Sequence, residues 1–180
     1  MASKSAYSLR KISREDLPMV LSWRNSARIR NLSYNDREIT SEEHTAWFES
    51  LEKAHDRICM IFEANGTPVG VVQFFDISTT DRKCKWGFYL GVDDLPKGLG
   101  TIMGELAISY AFQNLRVDQI LGESISHNYA SQKFHEKLGF VQEGRIERQV
   151  YRDAKWLDII LFSISKDHWI KLHGNVRAIA

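Results

Sequence analysis

Hydrophobic and polar positions along this chain change their period repeatedly, and each change predicts an element. Apolar alternation in "LRKI" predicts a first strand, after which Ser13 and Asp16 bracket a helix start with Leu17, Val20 and Leu21 on one face. Thr40 and Glu43 repeat that capping pattern ahead of Trp47, Phe48 and Leu51. Three strand-like runs follow, "RICMIFEA", "PVGVVQFFDI" and "KCKWGFYLGV". Asn65-Gly66 separates the first two, so the three read as an antiparallel meander. Helical spacing returns from about Gly100 to Asn114 through Ile102, Met103, Leu106 and Tyr110, and "QILGESI" reads as the next strand. A shorter helix from Tyr129 to Leu138 carries Ala130, Phe134 and Leu138 on one face and stops at Gly139. Two strands, "FVQEGRIERQVY" and "KWLDIILFSI", close the pattern before a terminal turn or helix, "KDHWIKLH". The reading is a mixed α/β (α+β) class, one domain over residues 1–180, with a mostly antiparallel central sheet flanked by helices.

Composition narrows the function classes. The 24 Lys+Arg and 23 Asp+Glu nearly cancel, leaving a net charge of +1, without the footprint of a nucleic-acid or anionic-membrane binder. "MASKSAYSLRKISRED" lacks a signal peptide's apolar stretch, and no apolar run approaches the roughly 20 residues of a membrane span, so the expected location is the cytoplasm. Cys59 and Cys84 fit neither a disulfide framework nor a zinc site and are expected to pack. "HEKLG" is not H-E-x-x-H, because its last position is Gly139, and no metal is expected.

"LPKGLGTIMGELAISYAF", Leu95 to Phe112, sets two glycines at the mouth of a helix. Such a turn offers unpaired N–H groups and the positive end of the helix dipole to a phosphate. Met103 stands where a dinucleotide fingerprint needs glycine, and no Gly-Lys-Ser/Thr follows, so neither familiar phosphate motif fits. On these residues alone, Gly98 and Gly100 either cradle a phosphate or merely shape a turn.

Taken with "KWGFYLGV" before it and "QILGESI" and "NYASQKFHEKLGF" after it, this turn resembles the GCN5-related N-acetyltransferase family from about Arg57 onward. The resemblance implies acetyl-coenzyme A as co-substrate, its pantetheine along Phe88, Tyr89 and Leu90. Its pyrophosphate would meet the amides of Leu95, Pro96-Lys97, Gly98, Leu99, Gly100 and Thr101, with Asn128, Ser131 and Lys137 as further contacts. Leu95 departs from the family's usual Arg or Gln but matches a subgroup acting on a nucleotide-linked amino sugar in pseudaminic acid biosynthesis.

N-acetyl transfer needs a base for the amine and a proton for the departing thiolate. Glu123 corresponds to the family's strand-end carboxylate, and a partly buried glutamate there would act as base; otherwise it is an ordinary strand glutamate. His135 stands where many relatives carry an acidic tyrosine, and an imidazole of pKa about 6.5 could replace it. The alternative is a polar cap over the cofactor, with water protonating the thiolate. For the acceptor, the subgroup's resemblance points to the 4-amino group of a UDP-linked amino-deoxy sugar, met by Arg24, Asn25, His44, Trp47, Ser78 and Tyr89.

Other readings stay open. Glu143, Gly144, Arg145 and Asp158 are shared with ribosomal-protein alanine acetyltransferases, so protein N-termini are a second acceptor class. A polyamine would want an acidic pocket. A non-catalytic coenzyme A module is the third class. An edge strand or the helix from Ser41 to Lys53 offers a surface for a homodimer.

Overall fold

Alternation and turn chemistry build the first half of the sheet. In the computed structural model, which describes residues 6–174, β1 (Tyr7–Lys11), β2 (Ile58–Ala64), β3 (Thr67–Ser78) and β4 (Lys83–Leu90) pair antiparallel in that order. Asn65 and Gly66 adopt φ of 51° and 78° between β2 and β3. Those positive values belong to a type I′ hairpin, and Asn and Gly tolerate them best.

The second half adds β5 (Gln119–Ile125), β6 (Val141–Arg152) and β7 (Lys155–Ser165), giving the order β1-β2-β3-β4-β5-β7-β6. Every neighbouring pair is antiparallel except β4–β5. That one parallel pair needs a crossover, and the sixteen-residue helix α4 below supplies it.

Helices cover both faces. The helix expected after Ser13 begins as a single 3₁₀ turn, Arg14–Asp16, and continues as α1 (Leu17–Asn25), with the short α2 (Ala27–Arg30) beyond it. The capping box predicted at Thr40 and Glu43 is present at the start of α3 (Ser41–Lys53). Of its expected stripe Phe48 is buried, as is His44, while Trp47 and Leu51 are half-buried. On this face Val20 packs with Cys59, Ile61 and Val71, flanked by Trp23, Trp47 and Tyr89.

The larger core lies across the sheet under α4 (Leu99–Asn114), α5 (Tyr129–Lys137) and α6 (Lys166–His173), and includes Phe62, Phe74, Met103, Ile108, Phe162 and Trp169. The terminal segment is therefore a helix. Two expected faces need correction. On α4 the fully covered positions are Met103, Ala107, Ile108, Ala111 and Phe112, whereas Ile102, Leu106 and Tyr110 are half-buried. A helix apolar nearly all round does not reveal its inner face by spacing alone. On α5 Ala130 is exposed and His135 is buried with Leu138.

Gly104 decides how closely α5 approaches α4. A Cβ there would lie 2.6 Å from Leu138 and 2.9 Å from Phe134. Gly104→Ala should therefore cost about 1–2 kcal/mol through overpacking. Thermal or urea denaturation reads the loss, and an unchanged midpoint would show that the pair of helices slides apart freely.

Candidate active site

The site begins where the parallel pair ends. β4 and β5 share three rungs, Lys83–Gln119, Cys84–Ile120 and Lys85–Leu121. Beyond them Trp86 to Leu90 continue paired with β3, and Gly122 to Ile125 with β7, so the two strands splay. The backbone edges facing the gap can hydrogen-bond an extended ligand rich in amides.

At the base of the splay sits His135, 1% exposed. Its Nε2 accepts from the Trp86 indole N–H at 3.2 Å, and its Nδ1 lies 2.8 Å from the Ser131 carbonyl. These partners assign the neutral tautomer with the proton on Nδ1. The ring stacks on Phe162 at a centroid distance of 4.7 Å. Gly122 makes room, since a Cβ on it would fall 2.4 Å from Nε2. Burial pulls the imidazole pKa down to about 4, against the opposing Ser131 bond. The expectation of a general acid near neutral pH is thereby corrected: the ring is neutral, both nitrogens are engaged, and it packs beneath the site.

Two cavities open from the splay. One, of about 310 Å³, is lined by Phe88, Leu90, Gly100, Met103, Asn128 and Phe134, with Tyr89 and Ser131 at its border. This gathers Phe88, Tyr89, Leu90, Gly100, Asn128 and Ser131 from the cofactor set expected above. Gly98 caps the start of α4 at φ 96°, a left-handed position that favours glycine. The first amides of α4 lack intrahelical carbonyl partners, as at any helix start, and lie beside this groove. In the same turn Pro96, Lys97 and Gly98 are exposed and Thr101 is half-buried. Leu99 is buried and Leu95 packs against the core, so these two offer backbone and no free side chain. Lys137 is exposed at the last turn of α5 and lines neither cavity.

The other cavity, about 360 Å³, lies over β3, β4 and β5. Glu123 lines it, and its side chain is partly buried, 34% exposed. One carboxylate oxygen accepts from the Tyr34 hydroxyl at 2.6 Å, and the other lies 3.7 Å from Lys85 Nζ. Burial and the bond to Glu123 hold the Tyr34 phenol well above its usual pKa, so it keeps its proton and donates. Gln73 and Lys85 also face this cavity. They share a sheet face with Glu123, which the alternation along the three strands would have revealed.

An adjoining cavity of about 330 Å³, between α1, α3 and the sheet, shares Arg24, Gln73 and Tyr89 and adds Arg37, His44 and Trp47. His44 stacks on Trp47 with centroids 5.0 Å apart. Buried Nη1 of Arg24 and buried Nε2 of His44 have no hydrogen-bond partner. Burial, opposed by Tyr89 and reinforced by the charges of Arg30 and Arg37, lowers the Arg24 pKa, and burial lowers that of His44. Arg24, His44, Trp47 and Tyr89 are thus brought together.

Two expected acceptor contacts lie elsewhere. The Asn25 carboxamide bonds both backbone groups of Ile39, at 2.8 and 2.9 Å, and staples the chain before α3. Ser78 accepts from the Asp81 amide at 3.0 Å in the β3–β4 turn. Both short polar side chains satisfy local backbone. Arg145 and Asp158 form a buried-edge ion pair bracing the β6–β7 bulge, where Asp158 also accepts from the Arg148 amide at 2.8 Å. Cys59 and Cys84 are buried, and burial pushes both thiols up to about 12. Among the described residues no group of three or more His, Cys, Asp or Glu is arranged to hold a metal, and no helix is long and apolar enough to cross a membrane.

A family profile described as an acetyltransferase (GNAT) domain matches residues 8–141. A prophage-derived N-acetyltransferase of Bacillus subtilis is 30% identical over 129 residues, 70% of this chain and 71% of that protein. The "Acetyltransferase PseH" of Campylobacter jejuni is 25% identical over 130 residues, 72% of this chain and 80% of its own length. Among solved structures, the spermidine N-acetyltransferase of Vibrio cholerae in complex with CoA and spermine superposes with a TM-score of 0.86 at 18% identity, covering 93% of this chain and 99% of that one.

Proposed function

The chain belongs to the GNAT family of acetyltransferases and is an acyltransferase, and from that premise we propose that it moves the acetyl group of acetyl-coenzyme A to the 4-amino group of a UDP-linked amino-deoxy sugar, as in pseudaminic acid biosynthesis. One observation carries the acceptor: two buried nitrogens without partners, Arg24 Nη1 and His44 Nε2, border one cavity beside the Trp47 and Tyr89 rings. The Arg24 N–H is a buried cationic donor that an anionic group satisfies, and an arginine suits a phosphate, whereas Nε2 of the neutral His44 ring, whose other nitrogen bonds the Leu17 backbone, offers a lone pair to a hydroxyl or a base N–H. A diphosphate attached to a planar base meets both requirements. A polyamine would instead meet the unpaired charge of Arg24, Lys85 being countered by Asp76 and Glu123.

The apolar groove would take the pantetheine, and the turn before α4 the pyrophosphate, where α4 amides and its dipole favour negative charge. Glu123 takes the proton of the acceptor ammonium, directly or through water, and frees the amine for attack on the thioester carbonyl. Amides along the open edge of β4 stand ready to bond the developing oxyanion. Because His135 is sealed and neutral, water or the Ser131 hydroxyl at the border of both cavities protonates the thiolate.

The test is direct. Purified protein is incubated with acetyl-coenzyme A and, separately, UDP-4-amino sugars, N-terminal peptides and spermidine, with thiol release and product mass as readouts. Acetylation of the UDP-amino sugar alone is expected. Turnover of peptide alone or spermidine alone overturns the acceptor reading, and thiol release with none leaves a coenzyme A binder. Arg24→Gln should raise the acceptor KM by roughly tenfold or more, the scale of one lost charge-assisted bond, while the acetyl-coenzyme A KM holds. Equal change in both would remove Arg24 from the acceptor.

A further inference from the structure

The loop between α2 and α3 forms one wall of the Glu123 cavity through Leu32, Ser33 and Tyr34. Its backbone is held from a distance. Arg152, at the end of β6, has a side chain only 10% exposed. Its Nη1 donates to the Asn31 carbonyl at 2.7 Å, and its Nη2 to those of Ser33 at 2.8 Å and Tyr34 at 3.3 Å. Nε completes the set with Asp36 at 3.0 Å. From the other side Arg24 Nη2 donates to the Asn35 carbonyl at 2.7 Å, and His127 Nε2 lies 3.2 Å from that of Asn31.

One guanidinium thus ties four points of a six-residue segment that lies about 120 positions earlier in the chain. A loop left to water would sample many conformations, and each fixed residue costs roughly 1–2 kcal/mol of backbone entropy. Arg152 meets that cost with charge-assisted bonds in a fixed planar fork. The outcome is a tyrosine hydroxyl held 2.6 Å from one oxygen of Glu123, which leaves the oxygen on the Lys85 side facing the cavity.

We propose that Tyr34 and Arg152 are positioning residues for the transfer: Arg152 straps the loop, the strapped loop aims Tyr34, and Tyr34 orients the Glu123 carboxylate toward the acceptor amine. The inference rests on the reading of Glu123 as the base, and neither residue need touch substrate for it to hold.

Two measurements test it. Coupling of Glu123 to glycinamide by a carbodiimide, read by mass spectrometry, reports access to the carboxylate without any acceptor. Tyr34→Phe, which removes one oxygen, should raise that labelling about threefold or more, and Arg152→Met should do the same. In steady-state assays with the amine acetylated by the wild type, each variant should lower kcat about tenfold, with the acetyl-coenzyme A KM changed less than about twofold. The double variant should be no worse than the poorer single one, since both act through one contact. Arg152→Lys, which keeps the charge facing Asp36 but not the fork, should fall between wild type and Arg152→Met and guards against a variant that fails to fold. Unchanged labelling in Tyr34→Phe overturns the proposal, and so does an unchanged kcat. Losses that multiply in the double variant overturn the link through Arg152. If Glu123→Gln proves fully active while labelling rises as expected, the strap stands and the base assignment fails.

Discussion

Glu123→Gln should lower turnover by about 10²- to 10⁴-fold at neutral pH, the usual scale for a lost general base. The substitution keeps the shape of the side chain, and its carboxamide oxygen can still accept from Tyr34, so the wall of the cavity should persist. It cannot take a proton from the ammonium. The deficit should therefore be greatest from about pH 6 to about pH 7, where the amine arrives protonated, and should narrow as pH rises toward the amine's own pKa. Affinity for acetyl-coenzyme A should be nearly unchanged, because Glu123 faces the other cavity. Steady-state assays from about pH 6 to about pH 9, with a separate binding titration of coenzyme A, read both quantities. Normal turnover across that range would remove Glu123 as base. A parallel loss of coenzyme A affinity would make it a structural residue of the splay.

The second large effect concerns stability. Burial lowers the His135 pKa to about 4 in the folded protein, whereas an unfolded histidine titrates near 6.5. Between those values the unfolded chain binds more protons, so the contribution of neutral His135 is complete above about pH 6.5 and is lost as pH falls toward 4. At about 1.4 kcal/mol per pKa unit the loss approaches roughly 3 kcal/mol. His135→Phe should abolish that slope. It should also carry a constant penalty of about 1–3 kcal/mol, because the Trp86 indole N–H loses its partner. Urea denaturation of both proteins at about pH 7 and about pH 5 gives the comparison. Parallel losses on acidification would assign the slope to other groups. Turnover per folded molecule should keep the wild-type pH profile, whereas a catalytic acid would change it.

The legible parts of the fold are those encoded within a few residues. Thr40 and Glu43 cap α3 because both lie within one turn, and Asn65-Gly66 fixes its hairpin because the backbone signs are local. The glycine turn into α4 was legible for the same reason. His135 was not. Its chemistry is decided by the absence of a Cβ on Gly122 and by the Trp86 indole, 49 positions away, so a residue that reads as an available acid is a sealed one. Asn25 and Ser78 look like sugar ligands by type, but each satisfies backbone nearby. Arg152 resembles any strand-end arginine until the fold brings the loop from Asn31 to Asp36 against it. Arg24, His44, Trp47 and Tyr89 came from the resemblance and from residue type, and the packing of α1 and α3 on the sheet gathers them.

The three parallel rungs between β4 and β5 also have a mechanical meaning. The sheet is built as two antiparallel plates, one made of β1 to β4 and the other of β5, β7 and β6, joined only along those rungs. A ligand laid in the splay beyond the rungs would act as a removable seam between the plates. Its binding energy would then add to folding stability by mass action, so the proposed complex with the acyl donor should melt at a higher temperature than the free chain.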